Sequence, residues 1–542
     1  MQQFLSGKII DLFNKTIFKG TISWENGKIT EARKEENVPD QYILPGFVDA
    51  HIHIESSMLT PHEFARMALT HGTVATVSDP HEIANVCGLD GVYYMLKDAK
   101  DAWLKFFFGV PSCVPATTFE TSGASLDSSK VEILLNDERI FYLAEMMNYP
   151  GVLNADPEVI RKISLAKKYG KPVDGHAPGL RGDNAERYIN AGISTDHECV
   201  TKEEALDKLK HGMKILIREG SAAKNYDALH TLIDEYPEQV MLCSDDKHPD
   251  DLIHGHVNAL VRRALDDGHE LFNVLRASCL NPVLHYNLPI GLLRVNDPAD
   301  FIVVDDLKSF NVKQTYINGE KVAENGTCFL PRKNPVIINH FHATEKIAGD
   351  FEVMNNGNML RVIEALDGQL ITNEISLNAT EIASATDQRI LESNVAKDIL
   401  KITVVNRYQN EKPACAFIHG FGLKSGAIAG TVAHDSHNII AVGVSDEEIC
   451  KAVNALVQSK GGLCVVDGSE KFLLPLPVAG LMSDADCIST GQAYSGLDGK
   501  VKSMGCKLRA PFMTLSFMAL LVIPSLKLSD KGLFDVNRFS FA

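Results

Sequence analysis

Between residues 41 and 289 the chain changes eight times from a short β-rich run to a helical stretch. The runs are YILPGFVDAHIH, GTVATVSDPH, KFFFGVPSC, IFYLAEMM, KPVDGHAP, GISTDHE, MKILIREG and QVMLCSDD. Segments such as PHEFARMALTHG and PEVIRKISLAKKYG separate them, with apolar residues at helical spacing. Strands alternating with helices predict parallel strands joined by helical crossovers, and eight such units close into an α/β fold, a (β/α)8 TIM-like barrel. The interval 41–289 matches the about 250 residues that such barrels use.

The flanks read differently. Residues 1–40 contain GTISWENGKITEA, a hairpin pattern with its turn at Asn26-Gly27. Residues 290–340 contain the strand ADFIVVDD and a second hairpin, VKQTYINGEKV, turning at Asn318-Gly319. The two flanks are expected to pair into one small composite β domain. Residues 345–542 carry strand-like runs (NIIAVGV, GLCVVDG) and a helical pattern (DEEICKAVNALVQSKG), and predict a C-terminal α+β domain.

Composition narrows the classes of function. A net charge of −17 argues against a nucleic-acid surface, which needs a basic stripe, but leaves a neutral small molecule open. The eleven cysteines include no C-x-x-C pair, so reduced cytoplasmic thiols are expected rather than disulfides or a zinc ribbon. The apolar stretch Phe512 to Ile523 falls short of the about 20 residues of a membrane span and predicts a buried strand or helix.

Chemically capable side chains cluster at the ends of the eight runs. His51 and His53 end the first, Asp79 and His81 the second, and Glu145 the fourth. His176 ends the fifth, His197 the sixth, Glu219 the seventh, and Asp245 with Asp246 the eighth. A barrel builds its active site on that face, so these residues are expected at one mouth. Residues i and i+2 of a strand point the same way, so His51 and His53 present two imidazoles together, suited to zinc, iron or manganese.

With these residues in place, PGFVDAHIH followed by His176, His197 and Asp245 resembles the amidohydrolase superfamily. HIHIESSMLTP, VSDPHEIANVCG, VDGHAPG, STDHE, MLCSDDKHPDDL and AHDSHN resemble bacterial adenine deaminases, over nearly the whole chain. The resemblance implies hydrolytic deamination of adenine in purine salvage, two divalent metals per site (manganese or iron, with zinc as the other option) and a homo-oligomer. It makes His51 and His53 ligands of the more buried metal and His176 and His197 ligands of the second. Glu145 becomes the bridge between the metals, in place of the carboxylated lysine of other amidohydrolases. Asp245 becomes a ligand that also moves protons.

Deamination also needs an acid at the ring, for which Glu82, Glu198 and Glu219 are candidates. Asp79, His81, Glu198 and Asp246 are candidate substrate contacts. Duller readings stand beside these. SDPHE can be a helix start capped by Asp79, Asp245-Asp246 can cap a helix, and Glu145 can pair with a lysine. HDSHN (His434, Asp435, His437) reads as a further metal site, a loop reaching over the mouth, or a polar loop at a domain interface. The rival functions are another amidohydrolase acting on a cyclic amide, and a non-catalytic scaffold on the same fold.

Overall fold

The computed structural model describes residues 2–221, 223–357 and 359–542. Eight parallel strands form the barrel: β1 (Phe47–Ile52), β2 (Thr73–Ser78), β3 (Lys105–Val110), β4 (Ile140–Met146), β5 (Val173–Gly175), β6 (Thr195–Asp196), β7 (Lys214–Arg218) and β8 (Val240–Cys243). Strands β1 to β5 pair in order as one sheet and β6 to β8 as a second. Bridges at Val173–Ile193 and Ile52–Asp245 close the two into a ring. At the second closure Asp245 N donates to His51 O at 2.9 Å, and His53 N donates to Asp245 O at 3.3 Å. Every residue of β1 and β2 is buried, as expected of strands covered on both faces.

Three of the crossover helices start where the chain offers a side-chain acceptor. Asp127, Asp156 and Thr201 each accept a hydrogen bond from the first turn of the helices Ser128–Leu135, Pro157–Lys168 and Lys202–Lys210. The helix His81–Cys87 begins differently. Its N-cap is Pro80 and no side chain caps it. Asp79 is therefore not spent on capping.

The run YILPGFVDAHIH is two strands, not one. Tyr42–Pro45 pairs with Gln3–Asp11 and Phe301–Val304, and the barrel begins only at Phe47. Gly46 makes the hinge possible, because a Cβ there would lie 2.2 Å from Val74 Cγ1. Tyr42–Pro45 thus joins the N-terminal hairpin to the strands after the barrel in one eight-stranded sheet. Both hairpin turns have left-handed backbone, with φ of 50° at Asn26 and 77° at Gly27, and 49° at Asn318 and 78° at Gly319. They meet at Trp24, whose indole N–H donates to Gly319 O at 3.0 Å.

The C-terminal region carries a second eight-stranded sheet, with helix Asp446–Ser459 packed on it and capped by Ser445. The stretch from Phe512 folds as helix Pro511–Phe517, all of it buried. Among the described residues no helix is long and apolar enough to cross a membrane.

Candidate active site

The C-terminal ends of the barrel strands deliver their polar residues to one buried cluster. His51 Nε2 and His53 Nε2 face each other at 3.2 Å. Asp245 Oδ1 completes the triangle, 3.5 Å from the first and 3.3 Å from the second. Asp245 reaches this place with φ of 55°, a left-handed conformation that non-glycine residues adopt at a cost and that clusters at functional sites.

Glu145 stands between this triangle and a second pair of imidazoles. Its Oε2 lies 2.9 Å from His176 Nδ1 and 3.1 Å from His197 Nε2, and its Oε1 lies 3.5 Å from His53 Nε2. Burial opposes ionisation of Glu145, but His176, His197 and His53 outweigh it and hold the carboxyl well below the usual range. Burial likewise opposes Asp245, and Arg218 with His51 and His53 keeps it ionised.

The donor set fits divalent cations. His53 Nδ1 lies 3.2 Å from Asp79 O, a partner that fixes the proton on Nδ1 and leaves the Nε2 lone pair facing the cluster. The groups His51, His53, Asp245 and His51, Glu145, His197 each place one ligand atom per residue within 4.8 Å of the others. Imidazole and carboxylate without thiolate suit zinc, iron and manganese.

Beside this centre lies a small cavity lined by Glu82, Glu198, Arg218, Asp246, His434 and Asp435, with Leu370, Phe517, Leu520 and Ile523 as an apolar roof. Ser56 Oγ bridges Glu82 and Asp246, at 3.0 and 2.5 Å. His81 Nδ1 lies between Asp79 Oδ2, at 3.1 Å, and Glu145 Oε1, at 3.3 Å. Burial raises the Glu82 carboxyl, with Asp246 adding to the effect against His434.

HDSHN enters this cavity from the C-terminal domain. His434 Nδ1 is 3.4 Å from Glu82 Oε1, His437 Nε2 is 3.7 Å from Glu82 Oε2, and Asp435 Oδ1 is 3.7 Å from His81 Nε2.

One candidate is displaced. Glu219 does not line the cavity. It turns outward, 3.2 Å from Arg263 Nη1 and 3.6 Å from Lys224 Nζ. The inward position of β7 belongs to Arg218, because neighbouring residues of a strand point to opposite faces. Arg218 grips Glu198 through both terminal nitrogens, at 2.6 and 2.9 Å, and also donates to Asp245. The sequence signal for Arg218 was its place at the end of MKILIREG, where the face is not marked. Glu120 was also missed. It accepts from Thr117 Oγ1 at 2.9 Å and from Ser436 Oγ at 2.6 Å, tying a barrel loop to HDSHN.

Histidines and carboxylates gathered at the C-terminal mouth of a (β/α)8 barrel define the amidohydrolase class of hydrolases, and residues 42–322 match the model of the amidohydrolase family. Residues 369–540 match the adenine deaminase C-terminal domain. The chain is 55% identical to an adenine deaminase of Sulfurovum sp. (strain NBC37-1), over 99% of this chain and 98% of that protein. It is 52% identical to an adenine deaminase of Salinibacter ruber, over 99% and 98%. A solved beta-aspartyl dipeptidase from Fervidobacterium islandicum AW-1 aligns with 60% of this chain and 98% of its own, at 17% identity and a TM-score of 0.45. The chain belongs to the adenine deaminase family of the amidohydrolases.

Proposed function

We propose that this chain hydrolyses adenine to hypoxanthine and ammonia in the cavity at the barrel mouth. The observation that carries this reading is the full-length likeness to proteins named adenine deaminase. The roof supports it, since a planar heteroaromatic base offers an apolar face to Leu370, Phe517, Leu520 and Ile523 while its edge meets carboxylates.

His51, His53, Glu145, His176, His197 and Asp245 would hold two divalent cations, manganese or iron by family likeness, with Glu145 between them. Such ions supply, when bound, a positioned water acidified to a pKa of about 7.

The chain's own groups move the protons. Ionised Asp245 takes a proton from the attacking water and returns it to the exocyclic amine, because ammonia departs far better than amide ion. Arg218 steadies Asp245 for that task. Glu198, held ionised by Arg218 against its burial, accepts from a ring N–H. Glu82, raised by burial and carrying a buried Oε2 without a hydrogen-bond partner among the described residues, donates to a ring nitrogen as charge builds there. Asp246 and His81 contact the substrate beside it. A reducing, cytoplasmic setting goes with this reading, as all eleven cysteines are free.

The test is ammonia release from purified enzyme supplied with manganese or ferrous iron. Adenine should be turned over and cyclic amides should not. Turnover of a cyclic amide without ammonia from adenine overturns the proposal.

A further inference from the structure

Lys527 is fully buried, yet burial alone sets its pKa, pulled down to about 7, with no charged partner contributing among the described residues. Burying a cation unpaired is unfavourable, and an apolar side chain of similar length would fill the site at less cost. What the ammonium does there is specific. It donates to Leu370 O at 2.7 Å and to Phe517 O at 3.0 Å.

Both acceptors belong to the roof of the catalytic cavity. They come from chain segments far apart in sequence, and the strand Leu526–Ser529 runs between them. Thr372 N donates to Pro524 O at 3.0 Å on one side, and Leu528 N donates to Met518 O at 2.9 Å on the other. The Phe517 ring in turn stacks on His434, with centroids 4.4 Å apart and planes 10° from parallel.

Leu370 and Phe517 also line a second, outer cavity of about 430 Å³, floored by Ser221, His248 and Asp250. The inner cavity measures about 30 Å³, room for about two waters. Leu370 and Phe517 line both and thus form a partition between a large chamber and a small one. A purine ring is larger than the small chamber, so binding one requires its lining, Leu370 and Phe517 included, to give way.

We propose that Lys527 is a positioning residue for the reaction, pinning the carbonyls of Leu370 and Phe517 so that the partition closes in one place over the substrate. This rests on the reading of the inner cavity as the adenine site. Lys527 touches neither substrate nor the metal-ligand residues and acts through the two roof residues.

The experiment is steady-state kinetics of the full-length, metal-loaded enzyme carrying Lys527→Met, which keeps the volume and removes the donors. KM for adenine should rise at least tenfold while kcat changes less than about threefold and the melting temperature holds or increases. Lys527→Gln, which keeps N–H donors on a shorter chain, should fall between the two. A merely structural role would lower the melting temperature and leave KM where it was. An unchanged KM in whichever variant folds overturns the proposal. Failure of the unmodified enzyme to release ammonia from adenine overturns the underlying reading instead, so the two failures are distinct.

Discussion

Arg218 donates to both carboxylate oxygens of Glu198, at 2.6 and 2.9 Å, inside the barrel mouth, and the same guanidinium reaches Asp245. Each partner is buried, so the pair holds only while it is complete. Arg218→Met leaves two anions without their cation, and breaking such a buried pair costs about 3–5 kcal/mol. We expect kcat/KM to fall at least about 100-fold, as for loss of a group that positions proton transfer, together with a lower melting temperature. Wild-type kcat/KM in the variant would refute the role given to Arg218.

His51→Asn should abolish turnover while far-ultraviolet circular dichroism stays native. The imidazole faces His53 Nε2 at 3.2 Å and Asp245 Oδ1 at 3.5 Å, and asparagine cannot present a nitrogen lone pair there. Elemental analysis should show reduced metal content. Full activity with full metal content would remove His51 from the ligand set.

Glu82→Gln should lower kcat by about 10²–10⁴-fold, the range for loss of a general acid, with metal content unchanged. The limb of the pH–rate profile that reports deprotonation of the acid should vanish. Persistence of that limb in the variant would assign the acid elsewhere.

Glu120→Gln addresses the joint between barrel and C-terminal domain. Burial pushes the Glu120 carboxyl up to about 7 from 4.5, aided by Asp435 and opposed by Ser436 and Thr117. A raised carboxyl makes the folded state bind more protons than the unfolded one between these two values. Its stabilising contribution is full below pH 4.5 and is lost as pH rises through about 7. The loss is on the order of 3 kcal/mol. The melting temperature of Glu120→Gln relative to the parent should therefore climb between pH 5 and 8. A flat difference across that range would contradict the assignment.

The sequence by itself determined the barrel and the family. The eight alternations between strand and helix periods are local signals, readable because each element's pattern reflects its own burial. The strand ends carrying His51, His53, Glu145, His176, His197 and Asp245 followed from the rule that such barrels work at their C-terminal face. Tertiary structure decided what local pattern leaves open. Arg218 ends β7 and Glu219 follows it, and which of them faces the mouth depends on the register of β7 against β6 and β8, a long-range property. Gly46 divides one apolar run between two sheets because Val74 packs against it from another strand. HDSHN meets Glu82, and Lys527 meets Leu370 and Phe517, only because the C-terminal domain folds over the barrel mouth. Contacts between residues hundreds of positions apart leave no periodicity in the chain, so only the folded structure brings them into view.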